Sequence, residues 1–236
     1  MEFNRSGADV AIVGRRQDAL DLAKTEIETA GDGQVVAISA DIRLAPDCKR
    51  VVGEAEAALG NIDILINNAG TSQRGPFMDV SDELWQDDLD LKLFASIRLT
   101  RLLFPGMCER QWGRIINVLN VGAKIPSAEG APTQVTRAAG MALMKVLACE
   151  GAPHNVLVNG LLVGKIRSDQ WERRHAVDER GLTLEEWYED AGQTQPLGRL
   201  GHAEEFANMA CFLCSEQGSY INGAAINVDG GLCPAV

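Results

Sequence analysis

The chain of 236 residues has no long hydrophobic run, an excess of acidic over basic residues, and few aromatic side chains. No apolar run approaches the roughly 20 residues that span a bilayer, and the N-terminus lacks the pattern of a signal peptide. The formal net charge of −11 argues against nucleic acid or an anionic membrane surface as a partner. We therefore expect neither a membrane protein nor a nucleic-acid-binding protein.

The cysteines are scattered and give no disulfide framework. They are Cys48, Cys108, Cys149, Cys211, Cys214 and Cys233. In a chain of this length such spacing indicates a reducing compartment, and we expect a cytoplasmic location. Cys211 and Cys214 form a C-x-x-C pattern, but they lie in a predicted helix with no second pair nearby. Core packing therefore explains them better than a metal site.

What the chain does have is an alternation of short apolar strands and amphipathic helices over its whole length. With 46% hydrophobic residues it can bury one sizeable core, and we predict a single domain over residues 1–236. The pattern predicts an α/β fold with a doubly wound parallel sheet in three layers, joined by right-handed crossovers. The predicted strands are 10–13, 34–39, 62–67, 114–119, 156–162 and 224–228, and the predicted helices are 18–30, 47–59, 85–107, 132–150 and 204–215.

The third predicted strand ends in a motif that is specific to a family. Four apolar residues around Asp63 read as a buried strand, which stops at Asn67-Asn68-Ala69-Gly70. This turn, together with Asn222-Gly223 and Asp229-Gly230-Gly231, resembles the short-chain dehydrogenase/reductase family over the whole chain. The resemblance implies a Rossmann-like domain that binds a nicotinamide cofactor and exchanges hydride with a small carbonyl or alcohol substrate.

The resemblance also implies a segment that has no counterpart at the front of this sequence. Family members open with a strand and a glycine-rich turn that receives the cofactor pyrophosphate, whereas residues 1–9 match only the end of the following helix. The first strand of the sheet is therefore expected to be missing, with weak NADPH binding as a result. Three readings stay open: an incomplete sequence, a truncated product that barely folds, or a rearranged sheet.

The cofactor positions implied by the resemblance favour NADP, with NAD possible. Arg15 and Arg16 follow the first predicted strand where NAD-preferring members carry an acidic residue, and guanidinium groups can bind a 2′-phosphate. The alternative is a pair of solvated arginines at a helix start. By the same resemblance, the remaining cofactor contacts are Asp41, Ile42, Asn68, Ala69, Gly70, Arg137, Val163, Gly164, Ile166 and Ser168.

The reaction centre departs from the family pattern at every position. Lys92 stands where the family has a catalytic Asn, Asn120 where it has Ser, and Thr133 and Arg137 where it has the Tyr and Lys of Tyr-x-x-x-Lys. A threonine hydroxyl is a far weaker acid than a tyrosine, and arginine does not release its proton at neutral pH. Ordinary proton transfer is therefore disfavoured.

Two classes of function follow from these substitutions. In the first, the chain is an oxidoreductase in which Lys92 supplies the proton and Asn120 polarises the carbonyl, with Tyr188 as a weaker candidate donor. Asp90 is not expected to pair with Lys92, because residues two apart point to different helix faces. In the second class, the fold keeps ligand binding or assembly without redox turnover.

Residues 166–200, which we call the lid segment, are charged and are expected to cover the substrate. Trp171, Trp187 and Tyr188 in the lid segment offer either an apolar wall for the substrate or plain packing. The predicted helices 85–107 and 132–150 resemble the subunit-pairing helices of the family, so we expect a homodimer or homotetramer.

Overall fold

The computed structural model describes residues 1–235, and strands alternate with helices there as the sequence predicts. Its strands are β1 (Val10–Gly14), β2 (Val35–Ser39), β3 (Ile64–Asn67), β4 (Arg74–Gly75), β5 (Gly113–Asn120), β6 (Ala131–Pro132), β7 (Val156–Val163) and β8 (Ala225–Val228). Its α-helices are α1 (Glu2–Arg5), α2 (Gln17–Glu28), α3 (Ala45–Leu59), α4 (Asp82–Leu89), α5 (Ala95–Glu109), α6 (Thr133–Gly151), α7 (Asp169–His175), α8 (Leu184–Gly192) and α9 (Ala203–Cys214). No helix in the described range is long and apolar enough to cross a membrane.

The long strands run parallel and fall into two hydrogen-bonded groups. One group has the order β3-β5-β7-β8, and the other is the pair β1-β2. The central pair is in register over its full length, from Gly113 opposite Val156 to Asn120 opposite Val163. Within residues 1–235, β1 and β3 are not hydrogen-bonded to each other.

Helices cover both faces of the larger sheet, which gives the three predicted layers. Adjacent residues of β5 point to opposite faces, and both Ile115 and Ile116 are fully buried. Ile115 packs with side chains of α3, α5 and α6, whereas Ile116 packs with α9. Cys214 belongs to the second cluster, in agreement with its interpretation as a core residue. The α/β fold class predicted from the sequence is confirmed.

The predicted helix 85–107 consists of three parts. Helix α4 is followed by a π-helical turn, Asp90–Phe94, and then by α5. A π-turn carries one residue more than the α-helical pattern allows and is frequently found at functional sites. Here the turn contains Lys92, one of the predicted reaction-centre residues.

The lid segment contains α7 and α8, and its aromatic residues pack on one another. Trp187 and Tyr188 are buried together with Leu200, and Trp171 lies against this cluster with its ring centroid 5.8 Å from that of Trp187. The Trp187 indole N–H donates to Asp178. The packing interpretation of these aromatic residues therefore fits the structure better than an open substrate wall.

Candidate active site

The predicted reaction-centre residues converge where the parallel strands end. Asn120 is the last residue of β5 and is opposite Val163, the last residue of β7. Helix α6 begins at Thr133 and carries Arg137 one turn later. In open α/β sheets ligands bind outside the carboxyl ends of the strands, so this edge is the candidate active site.

A buried ion pair joins α4 to the start of α6. The Lys92 ammonium donates to the Asp88 carboxylate, one helical turn earlier, and to the Thr133 hydroxyl at 2.8 Å. The side chains of Lys92 and Asp88 are 1% and 0% exposed. The Thr133 hydroxyl also donates to Asp88 at 3.3 Å and accepts from the backbone N–H of Gln73 at 3.0 Å. We call Asp88, Lys92 and Thr133 the buried triad.

The second cation of the site, Arg137, lies beside the buried triad. Its guanidinium donates to the carbonyl of Val118 at 2.6 Å and rests directly against Gly70, where a side chain would collide with it. Burial lowers the pKa of Arg137 to about 10, so it stays charged at neutral pH. Gly70 thus allows Arg137 to reach the turn that the sequence analysis assigns to the cofactor.

Burial is the main cause that lowers the pKa of Lys92, and the positive charge of Arg137 acts in the same direction. The hydrogen bond and the charge of Asp88 oppose this change and favour the ammonium form. Arg137 and burial thus ease the loss of the Lys92 proton, whereas Asp88 resists it. A lysine with a lowered pKa can release a proton more readily than an exposed one.

A cleft of about 390 Å³ runs from the end of β1 to Asp88 and collects several predicted cofactor contacts. The predicted residues among its lining are Arg15, Asp41, Ile42, Ala69 and Gly70. Arg16 lines an adjoining depression together with Gly14 and Arg15. Asn68 is exposed on the turn between β3 and this cleft.

The other predicted contacts follow β7 and do not line that cleft. Val163 ends the strand, and Gly164 lies so close to the Asp229 backbone that a side chain there would collide. Ile166 forms an isolated bridge with Gly201, and Ser168 precedes the first residue of α7.

Arg43 binds the carboxylate of Asp41, one of the predicted cofactor contacts. Its guanidinium and backbone N–H bind both oxygens of Asp41, and these hydrogen bonds lower the pKa of Asp41. Arg43 also reaches Asp87 at 3.3 Å across the cleft. An adenine amino group that binds Asp41 would therefore compete with Arg43 for this carboxylate.

The weaker candidate donor, Tyr188, belongs to the aromatic cluster of the lid segment. Its ring packs beside Trp187 and under the guanidinium of Arg167 at 4.6 Å. Burial raises the pKa of the Tyr188 hydroxyl, which makes it a poorer acid. The geometry therefore favours Lys92 over Tyr188.

Comparison with known proteins agrees with this architecture. A family model described as enoyl-(acyl carrier protein) reductase matches residues 1–233. Human dehydrogenase/reductase SDR family member 4 is 34% identical over 229 residues, which cover 96% of this chain and 79% of the relative. The chain belongs to the short-chain dehydrogenase/reductase family.

Solved structures of short-chain reductases superimpose closely on this chain. L-Sorbose reductase from Gluconobacter frateurii, complexed with NADPH and L-sorbose, has a TM-score of 0.94 and 32% identity, covering 100% of this chain and 90% of that one. A short-chain oxidoreductase from Pseudomonas aeruginosa PAO1, described as containing an atypical catalytic center, has a TM-score of 0.92 and 32% identity, with coverages of 100% and 91%. An NADPH-bound structure with the same description has a TM-score of 0.89 and 31% identity, with coverages of 98% and 89%.

The family membership confirms the resemblance read from the sequence, whereas the roles of individual residues stay predictions. Of the predicted reaction-centre residues, the structure brings Lys92, Thr133 and Arg137 into one cluster. Asn120 lies at the same edge of the sheet, and the Oδ1 atom of its side chain is buried without a hydrogen-bond partner within the described residues.

Sequence reasoning missed Asp88, Gln73 and Arg43 in this site. Asp88 could have been found, because it lies four residues before Lys92, a spacing that places two helical side chains on one face. Only Asp90 was considered, and it pairs with Arg98 instead, at 3.0 Å. No local pattern marks the contact of Gln73 with Thr133, because these residues are 60 positions apart in the chain. The contact of Arg43 with Asp41 depends on the conformation of a turn, and Asp87 is 44 positions away from Arg43.

The buried ion pair predicts a strong energetic coupling. Asp88→Leu and Lys92→Met should each lower the free energy of unfolding by about 3–5 kcal/mol, because each leaves a buried charge unpaired. The double variant should lose much less than the sum, since an apolar pair replaces both charges. The coupling free energy is obtained from denaturant unfolding of the parent chain, the two single variants and the double variant.

The matched control is Lys24 and Glu28, which have the same spacing on α2 but are exposed, with 3.7 Å between nitrogen and oxygen. Their coupling should be about 0.5 kcal/mol or less. If the losses of unfolding free energy in Asp88→Leu and Lys92→Met simply added in the double variant, the buried ion pair would be contradicted.

Proposed function

We propose that this chain is an NADP(H)-dependent oxidoreductase that reduces a carbonyl, or oxidises an alcohol, on a small molecule. The observation that carries the proposal is the buried Lys92 ammonium, hydrogen-bonded to Thr133 at the carboxyl edge of the sheet and beside Arg137. Lys92 acts as the proton donor, which is the role that the tyrosine at the position of Thr133 has in the family.

The residues of the cleft fit the adenosine half of NADP. Arg15 and Arg16 stand together at the end of β1 where they can hold a 2′-phosphate, and Ile42 offers an apolar side chain for the adenine ring. Gly70, Arg137 and the backbone of residues 163–166 would hold the ribose and nicotinamide half. The NADPH-bound structures of two similar proteins support this choice of cofactor. When bound, the cofactor supplies the hydride for reduction of the carbonyl carbon.

The chain's own contribution is the proton. Lys92 would give one N–H proton to the carbonyl oxygen as that oxygen gains negative charge, and its amine would be left neutral. Asp88, Lys92 and Arg137 together carry one positive charge before this step and none after it. Arg137 favours the step by repelling the ammonium, and the Asn120 amide can donate a hydrogen bond to the same oxygen.

Thr133 has no hydrogen-bonding capacity left for the substrate. A hydroxyl has one donor and two acceptor positions. The donor is directed at Asp88, and the acceptor positions take Lys92 and the backbone of Gln73. Thr133 therefore positions Lys92, whereas the ammonium, with three protons and two partners in the triad, keeps one proton to give.

A second candidate function is ligand binding or assembly without redox turnover. It is favoured by the burial of the triad away from solvent, since the Lys92 side chain is 1% exposed and Thr133 is 3% exposed. If Lys92 could reach no substrate, the protein would bind the nucleotide but would not catalyse hydride transfer.

Lys92→Met should lower kcat/KM for NADPH-dependent reduction of an accepted ketone by about 100-fold or more, because it removes the proton donor. Thr133→Val should cost less than about tenfold, since Thr133 only positions Lys92. Lys49→Met, an exposed lysine on α3, is the matched control and should leave the rate unchanged. Steady-state NADPH oxidation measures each variant, and circular dichroism reports the folded fraction.

The family's acid can also be restored. Thr133→Tyr combined with Arg137→Lys should raise reductase activity above that of the parent chain. Undiminished turnover in Lys92→Met would remove Lys92 from the mechanism. If every protein, including the restored one, were inactive on a panel of ketones, the second candidate function would be preferred.

Arg15 and Arg16 should make the site prefer a 2′-phosphate. Adenosine 2′,5′-bisphosphate and 5′-AMP probe this directly, because they differ only in that group. Arg15→Ala with Arg16→Ala should weaken bisphosphate binding about tenfold or more, through loss of charge-assisted hydrogen bonds. AMP binding and the control Lys24→Ala should change little. Equal weakening of both nucleotides in a calorimetric titration would contradict the assignment.

We also propose that the chain forms a homodimer or homotetramer through α5 and α6. Leu102 on α5 and Val135 and Val146 on α6 are exposed apolar residues. Light scattering at micromolar concentration should return a multiple of the chain mass, and Val146→Glu should shift the population toward smaller species. A monomer for the parent chain would contradict this proposal.

A further inference from the structure

The buried triad contains one charged residue that the proposed proton transfer does not use. The Asp88 carboxylate binds Lys92 and Thr133 through its Oδ1 atom, while its Oδ2 atom is buried without a hydrogen-bond partner within the described residues. An unpaired carboxylate oxygen is costly to bury, so the position requires an explanation beyond packing.

We propose that Asp88 is a positioning residue that keeps the Lys92 ammonium charged and holds it beside Thr133. The inference rests on the proposed function of Lys92 and deepens it. Helix α4 places Asp88 one turn before Lys92, and Asp88 also lines the cleft that holds Arg15 and Asp41 at its other end. The same carboxylate receives the Thr133 hydroxyl, so it holds the second partner of Lys92 as well.

The charges that surround Lys92 explain why an anion is needed. From α6, Arg137 faces it with a positive charge, whereas the turn after β3 contributes Gly70 and the backbone of Gln73, which carry none. Asp88 is the negative group in contact with Lys92. Burial and Arg137 lower the pKa of Lys92, and Asp88 raises it. Without Asp88, Lys92 would lose its proton at a lower pH, so a smaller fraction of the protein would carry the proton donor.

The sign of the effect distinguishes this role from a purely structural one. Carbonyl reduction needs protonated Lys92, so kcat/KM should fall as the pH rises through the pKa of Lys92. Asp88→Asn should move this fall to lower pH by at least about one unit, so its rate deficit should be about tenfold larger above the wild-type pKa than well below it. Asp88→Glu keeps the charge and should keep the position of the fall. A deficit that is equal at every pH would overturn the proposal.

A measurement without turnover separates this inference from the proposed function. NMR of the chain labelled with ¹³C at lysine Cε follows the Lys92 signal, which is assigned by its loss in Lys92→Met. Its titration midpoint should be lower in Asp88→Asn than in the parent chain, whereas Asp82→Asn, an exposed carboxylate on the same helix, should leave it unchanged. Identical midpoints would refute the role of Asp88, even in an active enzyme. A shifted midpoint in a chain inactive on every ketone would support it while the proposed function fails.

If Asp88→Asn does not fold, Asp88→Ser is the second variant. It removes the charge and replaces the carboxylate with a smaller polar group, a hydroxyl. The same lowering of the Lys92 midpoint is expected, and its absence would count against the proposal in the same way.

Discussion

The site depends on one constraint, which is that a buried ammonium must be held by an anion. Taking a charge out of water costs several kcal/mol unless a partner compensates it, and Lys92 is almost fully buried. Asp88 supplies that compensation from α4, and Thr133 completes it from α6. The two helices are therefore joined at the edge of the sheet by their polar side chains. The position of Arg137, one turn into α6, follows from the same junction.

The fold was predictable because burial on both faces leaves a clear pattern in the sequence. Strand β7 is a near-continuous apolar run, and β5 has two apolar pairs, Ile115-Ile116 and Val118-Leu119. In the structure the residues of both strands are buried almost without interruption. Asn67-Asn68-Ala69-Gly70 and the spacing from Thr133 to Arg137 predicted a candidate site, and the structure brings these segments together at the carboxyl edge of the sheet. Element ends agreed within a few residues, and Gly60 ends α3 with a φ of 78°, which glycine adopts without strain.

The contacts inside the site were less predictable, because they depend on which side chains meet after folding. The charge of Lys92 was visible in the sequence, and its pairing with Asp88 followed from helical spacing that was not applied. By contrast, the hold of Arg43 on Asp41 competes with the role that family resemblance gave to that carboxylate. The aromatic residues of the lid segment pack together with Leu200, which only the folded arrangement reveals.

The π-turn at Asp90–Phe94 changes the rotation of α5 about the helix axis relative to α4, although the sequence predicts one continuous helix here. One additional residue rotates everything after it by about 100° relative to an uninterrupted α-helix. Helix α4 can thus direct Asp88 into the site while α5 directs Leu103 and Met107 into the core. Deletion of one residue from this turn would restore regular α-helical geometry. Asp88 in the site and Leu103 and Met107 in the core could then no longer all keep their positions. The length of this turn is therefore under tighter constraint than most of its side chains.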